Sequence, residues 1–101
     1  MKAVYVALLA AGVVMAGQVQ ADEALAKAKN CTTCHGIGNK IVGPSYKDIA
    51  AKRASEKGAE AALAAKIKSG SKNEWGQVPM PPNQVTDAEA ATLARWVLSF
   101  K

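Results

Sequence analysis

Two cysteines and a histidine stand together in the pattern C-x-x-C-H, as Cys31, Cys34 and His35. Two thiols at this spacing can form thioethers with the two vinyl groups of one porphyrin, and the adjacent imidazole then lies under its iron. In an exported chain this pattern indicates covalent attachment of a c-type haem. We therefore predict one haem c, bound through Cys31 and Cys34, with His35 as an iron ligand.

The same pattern has other interpretations. The thiols could form a redox-active disulfide, because the start of a helix lowers a cysteine pKa, but the strand-rich pattern of a thioredoxin-like fold is missing. They could supply half of a zinc site, which needs four ligands, but the chain has no third cysteine and only one histidine. A structural disulfide explains them poorly, because so short a loop constrains little of the unfolded chain.

Met80 is the candidate for a second axial ligand, because no second histidine exists. It is the one methionine left once residues 1–21 are removed, and its neighbouring prolines favour a stiff, extended segment. The plain alternative is a methionine that fills a gap in the core. Methionine ligation raises the reduction potential and blocks the position of oxygen or substrate, which favours electron transfer over catalysis. A weakly bound Met80, displaced by a gas or peroxide, would instead make a haem sensor or a small haem enzyme.

Residues 1–21 have the pattern of a cleaved secretory signal peptide. Lys2 gives a positive start, an apolar run follows it, and a small-residue cleavage pattern ends at Ala21. The apolar run is shorter than the roughly 20 residues of a membrane-spanning helix. We predict cleavage after Ala21 and a single periplasmic domain over residues 22–101, which keeps 12 basic and 8 acidic residues once Lys2 is removed.

The remaining chain has helix-forming composition and no strand pattern, which predicts an all-α domain. The predicted helices extend from 22 to about 30, from Ser45 to about 54, from Gly58 to Gly70, and from Thr86 to the C-terminus. The last has the clearest apolar face, made by Leu93, Trp96, Val97 and Phe100. With only 5% aromatic residues the core is thin, so we expect a cofactor to complete it. The long loop at 71–85, which contains Met80, is expected to be functional.

Four segments together resemble the bacterial class I cytochromes c, of the short monohaem periplasmic type. They are CTTCH, VGPSYKDIAAK, WGQVPMPPN and LARWVLSFK, and the likeness covers residues 22–101. CTTCH marks c-type haem in general, whereas VGP and the tryptophan-to-asparagine segment point to this subgroup. The resemblance implies a small fold of about four helices around one haem. It also implies the function of a soluble periplasmic electron carrier with His/Met axial ligation, which is not an enzyme.

Four neighbours of the haem receive roles from the same resemblance. The Pro44 carbonyl is expected to accept a hydrogen bond from the histidine ligand, Trp75 to donate to a haem propionate, and Asn83 to hydrogen-bond near the methionine sulfur. Trp75 could otherwise be a surface anchor or a core residue, and Asn83 could merely begin a turn. Where the family often has an arginine near the propionates, the third helix has Lys66, which cannot form a bidentate pair.

The implied partners are redox proteins with acidic docking surfaces. A membrane cytochrome complex is expected as the donor, and a terminal oxidase, nitrite reductase or peroxidase as the acceptor. Lysines around the exposed haem edge would steer such partners electrostatically. We expect a monomer without stable membrane association. A nucleic-acid-binding function is suggested only by the formal charge of +5; export and the lack of a basic patch interleaved with aromatic residues argue against it.

Overall fold

The computed structural model describes residues 22–101, and in them the fold is all-α, as predicted. The helices are α1 at 22–28, α2 at Cys31–Cys34, α3 at Tyr46–Arg53, α4 at Ala59–Ser69 and α5 at Asp87–Leu98. The only β pairing in this part of the chain is two isolated bridges. No helix in residues 22–101 has the length and hydropathy required to cross a membrane. The predicted signal peptide at 1–21 lies outside the described residues.

The sequence predicts four of these five helices, and α2 is the exception. The first predicted helix continues to about Asn30, but α1 ends at residue 28. Asn30 has a φ of 64°, in the left-handed region that asparagine tolerates. This residue separates α1 from α2, so the two cysteines lie on a helical turn of their own.

Local hydrogen bonds begin α3 and α5 at the predicted residues. The Ser45 hydroxyl oxygen accepts from the Asp48 N–H at 3.0 Å. At α5, the Thr86 hydroxyl oxygen accepts from the Glu89 N–H at 3.0 Å, and the Glu89 carboxylate accepts from the Thr86 N–H at 2.9 Å. These caps satisfy backbone donors that have no partner inside a helix. The starts of both helices therefore follow from residues within one turn.

The core forms where α5 packs against α3 and α4. Its central buried side chains are Tyr46, Ile49, Leu63, Ala94 and Val97. The rings of Trp96 and Phe100 pack on Tyr46, with centroids 4.9 and 5.5 Å from it. The largest fully buried side chains in residues 22–101 are a single leucine, Leu93, and a serine. The protein's own core is therefore small, as its composition predicts.

Candidate functional site

Every residue that the sequence predicts for the site lines one cavity of about 380 Å³, a volume typical of ligand-binding clefts. These residues are Cys31, Cys34, His35, Pro44, Lys66, Trp75, Met80 and Asn83. Apolar residues of α3, α4 and α5 also line it, namely Ile49, Leu63, Ile67, Leu93 and Val97. The fold thus brings polar and sulfur-containing side chains from distant segments onto one apolar cavity.

His35 is held in one tautomer by the backbone. Its Nδ1 lies 2.7 Å from the Pro44 carbonyl oxygen. Because a carbonyl only accepts, Nδ1 carries the proton and Nε2 keeps a free lone pair, which is the form that binds a metal. The N–H groups of Val42 and Gly43 donate to the Cys34 carbonyl oxygen at 3.1 and 2.8 Å, which folds the loop back over the cysteine turn. The hydrogen bond implied for Pro44 is therefore present.

Packing on two sides also fixes the His35 ring. A Cβ on Gly43 would lie 2.6 Å from His35 Cε1, so only glycine fits there without displacing the ring. The Tyr46 ring stacks against the imidazole with 5.7 Å between centroids. Burial raises the pKa of the Tyr46 hydroxyl, which has no hydrogen-bond partner among the described residues. Hydrogen bonding and packing together leave the imidazole one orientation.

Cys31 and Cys34 are free, half-buried thiols at the two ends of α2. The His35 N–H donates to the Cys31 carbonyl oxygen at 3.0 Å, which closes the turn. Burial raises the pKa of the Cys31 thiol, whereas a redox-active cysteine needs a lowered pKa. The part of the chain that the structure describes also contains no group of three His, Cys, Asp or Glu side chains able to hold a metal ion. Neither the dithiol nor the zinc interpretation gains support.

The loop at 71–85 holds Met80 by its backbone. The Met80 N–H donates to the Ser71 carbonyl oxygen at 2.8 Å, and the Ser71 N–H donates to the Met80 carbonyl oxygen at 3.0 Å. Gly70 permits this close approach, because it has a φ of 89° and a Cβ on it would lie 2.6 Å from the Met80 carbonyl oxygen. The segment that the prolines stiffen is therefore attached directly after α4.

Asn83 fastens the other end of this loop to α4. Its side-chain amide donates to the Ile67 carbonyl oxygen at 2.8 Å, with a longer contact to the Pro81 carbonyl oxygen at 3.4 Å. Its backbone N–H donates to the Lys68 carbonyl oxygen at 3.3 Å. The resemblance implies a hydrogen bond near the methionine sulfur, and the contacts in this structure are with backbone carbonyls of α4 and of the loop. The amide instead satisfies a backbone acceptor near the C-terminus of α4, where helical carbonyls lack partners.

Trp75 and Lys66 line the cavity, and both contact charged side chains. The Lys52 ammonium lies 4.4 Å from the centroid of the Trp75 ring, within the range of a cation–π contact. The Lys66 ammonium lies 2.9 Å from a Glu74 carboxylate oxygen. Lys66 and Glu74 thus form an ion pair in the part of the cavity where the resemblance implies contacts with the haem propionates.

Arg53 of α3 lines the same cavity, and the sequence reasoning missed it. Its side chain is only 8% exposed, and its guanidinium pairs with Glu56 at 2.9 Å and with Glu74. The signal was available, because Arg53 follows Tyr46 at i+7 and so falls on the buried face of α3. A guanidinium is therefore present at the cavity although α4 supplies a lysine.

The donor set and the walls of the cavity fit a haem. Two thiols on one turn and an imidazole nitrogen with a free lone pair are the groups that thioether attachment and iron ligation require. The apolar wall suits a macrocycle that is itself largely apolar. A haem bound there would complete a core that the side chains alone leave small. Cys31 and Cys34 would hold the haem covalently, and His35 would bind its iron.

Comparison with known proteins also indicates a haem protein. The family model for cytochrome c matches residues 19–101. Cytochrome c-551 of Pseudomonas aeruginosa is 56% identical over 96 residues, which cover 93% of this chain and 92% of that protein. Cytochrome c-552 of Nitrosomonas europaea is 53% identical over 93 residues, covering 91% of this chain and 90% of that protein. The crystal structure of the wild-type Nitrosomonas europaea cytochrome c552 superposes with a TM-score of 0.76 at 54% identity, over 78% of this chain and 99% of that one.

The fold, the cavity and these relatives agree on one family. The relatives are small electron carriers rather than enzymes, and covalent haem c is common to them. The chain belongs to the cytochrome c family, as a small bacterial class I member that transfers electrons and carries haem c through Cys31 and Cys34.

Proposed function

We propose that this chain is a periplasmic carrier of single electrons whose haem iron is ligated by His35 and Met80. The observation that carries the proposal is that both residues line one cavity while each is fixed by its backbone surroundings. His35 is oriented by Pro44 with Nε2 free, and Met80 is bridged to Ser71. When bound, haem supplies the one-electron couple of its iron.

The residues around the haem would tune that couple. As an iron ligand, the Met80 thioether would favour the reduced state relative to harder ligands and would keep oxygen or a substrate from binding. The hydrogen bond from His35 to Pro44 orients the imidazole, as outer partners of metal ligands do. The apolar wall excludes water. Trp75 and Lys66 would contact the propionates, and Asn83 would support the methionine indirectly by fixing the loop end to α4.

The cavity mouth supports docking to acidic redox proteins. Two hydrophobic residues that line the cavity, Val42 and Val78, are strongly exposed, and Val78 retains 69% of its accessible surface. Lys40 and Lys66 line the same cavity. Exposed apolar side chains and the Lys40 cation on one cavity suit brief association with a negatively charged partner, and the charge raises the encounter rate more than the affinity. The proposed donor is a membrane cytochrome complex. The proposed acceptor is a terminal oxidase, nitrite reductase or peroxidase.

Export and processing complete the proposal. Residues 1–21 would direct the chain across the membrane and be removed after Ala21, so that a monomer of residues 22–101 acts in the periplasm. Mass spectrometry of the haem-loaded protein tests this directly. A mature chain that begins at Asp22 is the expected result, and retention of residues 1–21 would contradict it.

Optical spectra of the purified haem protein test the ligation. We expect haem that stays attached on denaturation, a weak long-wavelength band from the methionine–iron bond in the oxidised state, and a reduced state that resists carbon monoxide. Met80→Ala should abolish that band, lower the reduction potential and admit carbon monoxide while haem stays attached. If the unmutated protein binds carbon monoxide rapidly and lacks the band, it is a haem sensor or small haem enzyme instead.

A further inference from the structure

Residues 71–80 form a loop that is closed where Ser71 pairs with Met80. We call this closed loop the Met80 ring. The outer part of this ring is residues 72–79. Within residues 22–101, its polar contacts with the helices involve only Glu74 and Trp75. The Trp75 contact is a cation–π contact with a single lysine. Glu74 therefore makes most of the polar contacts between the outer part of the ring and the helices.

The Glu74 carboxylate meets three cations from two helices. Arg53 and Lys52 belong to α3, and Lys66 belongs to α4. The Lys66 ammonium lies 2.9 Å from one carboxylate oxygen, and the Lys52 ammonium lies 3.7 Å from the other. Ser71 adds a hydroxyl donor at 3.3 Å from within the ring. One carboxylate thus joins the ring to both helices.

The Arg53–Glu74 pair is well shielded from water. The side chain of Glu74 is 17% exposed and that of Arg53 is 8% exposed. Removing one partner of a shielded pair costs more than breaking an exposed pair, because the remaining charge loses a counter-charge in a site that water reaches poorly. Exposed pairs are worth little in comparison. The pair of Arg53 with Glu56 offers that contrast, since Glu56 is 43% exposed and lies only three residues away on the same segment.

We propose that Glu74 is a positioning residue for Met80, and that its ion pair with Arg53 holds the Met80 ring in place against α3. The ring opens as a unit when this pair breaks, and the thioether leaves the iron while the helices remain folded. This proposal rests on the assignment of Met80 as an iron ligand.

The test compares two energies in the oxidised, haem-loaded protein. Loss of the methionine–iron band in urea reports opening of the ring, and loss of far-ultraviolet circular dichroism reports unfolding of the helices. For Glu74→Gln we expect the ratio of band-free to band-containing protein in water to rise at least tenfold, which corresponds to about 1.4 kcal/mol. The urea midpoint of the circular dichroism signal should change less than the urea midpoint of the methionine–iron band. Glu56→Gln, the matched control, should leave the interval between the two midpoints unchanged.

A double variant separates this pair from a general loss of stability. Arg53→Met and Glu74→Gln both remove the Arg53–Glu74 pair, so the double variant should lose less of the band than the sum of the two single losses. If Glu74→Gln fails to accumulate with haem, the double variant still can, because it also removes the buried cation that Glu74 balances. Its band should then be lost at lower urea than in the unmutated protein.

The possible failures are distinguishable. An unmutated protein without the methionine–iron band refutes the ligation, and with it the proposed function. An unmutated protein with the band, together with a Glu74→Gln protein whose band and helices are lost at one common midpoint, refutes only the role of Glu74. Additive effects of the two single changes in the double variant also overturn the proposal.

Discussion

Gly43 lies so close to the His35 ring that a Cβ at position 43 would meet Cε1 at 2.6 Å. Gly43→Ala must therefore displace the His35 ring or the loop. We expect it to lower the free energy of unfolding by about 1 to 3 kcal/mol, as overpacking of a close-packed site usually does. Urea unfolding of the haem-loaded protein measures this loss. Gly38→Ala is the control, because a Cβ there would meet only the flexible side chain of Lys47, at 3.8 Å. Equal losses for the two variants would show that position 43 has no special steric role.

Gly70 and Gly58 should differ in their tolerance of a Cβ, because Gly70 has both the rarer backbone conformation, with a ψ of 174°, and the closer neighbour. Both have positive φ, 89° and 73°, but a Cβ on Gly70 would meet the Met80 carbonyl oxygen, whereas one on Gly58 would meet nothing within 4 Å. Gly58→Ala should cost roughly 1–2 kcal/mol of unfolding free energy from the left-handed conformation alone. Gly70→Ala should cost more than this and should also weaken the methionine–iron band. Thermal unfolding and the optical spectrum of both variants provide the comparison, and an unchanged band in Gly70→Ala would contradict it.

The cysteines are predicted to be necessary for folding as well as for attachment. The side chains alone bury little, with Leu93 the one large apolar residue that is fully enclosed among those described. A chain with Cys31→Ala and Cys34→Ala should therefore lack stable haem and be largely unfolded by circular dichroism. The single variants serve as controls, since each keeps one thiol for attachment. A well-folded double variant without haem would show that the polypeptide needs no cofactor in its core.

Glu89 predicts a specific dependence of stability on pH. The backbone N–H of Thr86 donates to its carboxylate and lowers the pKa of Glu89 in the folded state. The stabilisation is therefore complete above the pKa of an unfolded glutamate, about 4.3, and is lost as the pH falls through the lower folded pKa. The difference in urea midpoint between the unmutated protein and Glu89→Gln should be largest above about pH 5 and should diminish in acid. A difference that is constant between neutral and acid pH would exclude this contribution.

The sequence was most informative where the structure depends on nearby residues. The cap of Ser45 on Asp48 and the capping box of Thr86 and Glu89 were predictable, because each partner lies three residues away. The C-x-x-C-H pattern and the prolines around Met80 likewise specify their own geometry. The residue types predicted for the site come from such local patterns, whereas their meeting on one cavity depends on the fold.

The missing details depend on contacts between distant segments. Arg53 is separated from Glu74 by a whole helix, and its position on the buried face of α3 gave no indication of which acid would pair with it. The partners of Asn83 depend on where the end of α4 meets the returning loop. The short helix α2 was missed because it depends on a single left-handed residue, Asn30, which composition does not reveal.

Both backbone polar groups of Met80 are already bonded to Ser71. Under the proposed ligation, a change in iron charge could therefore move this ligand only by small rotations within its side chain. The imidazole of His35, bonded to Pro44, is limited in the same way. Few nuclei would have to shift when an electron arrives or leaves, because the surrounding dipoles are fixed in advance. The two hydrogen bonds of Met80 thus favour a low reorganisation energy, and with it fast exchange with partners at a small driving force.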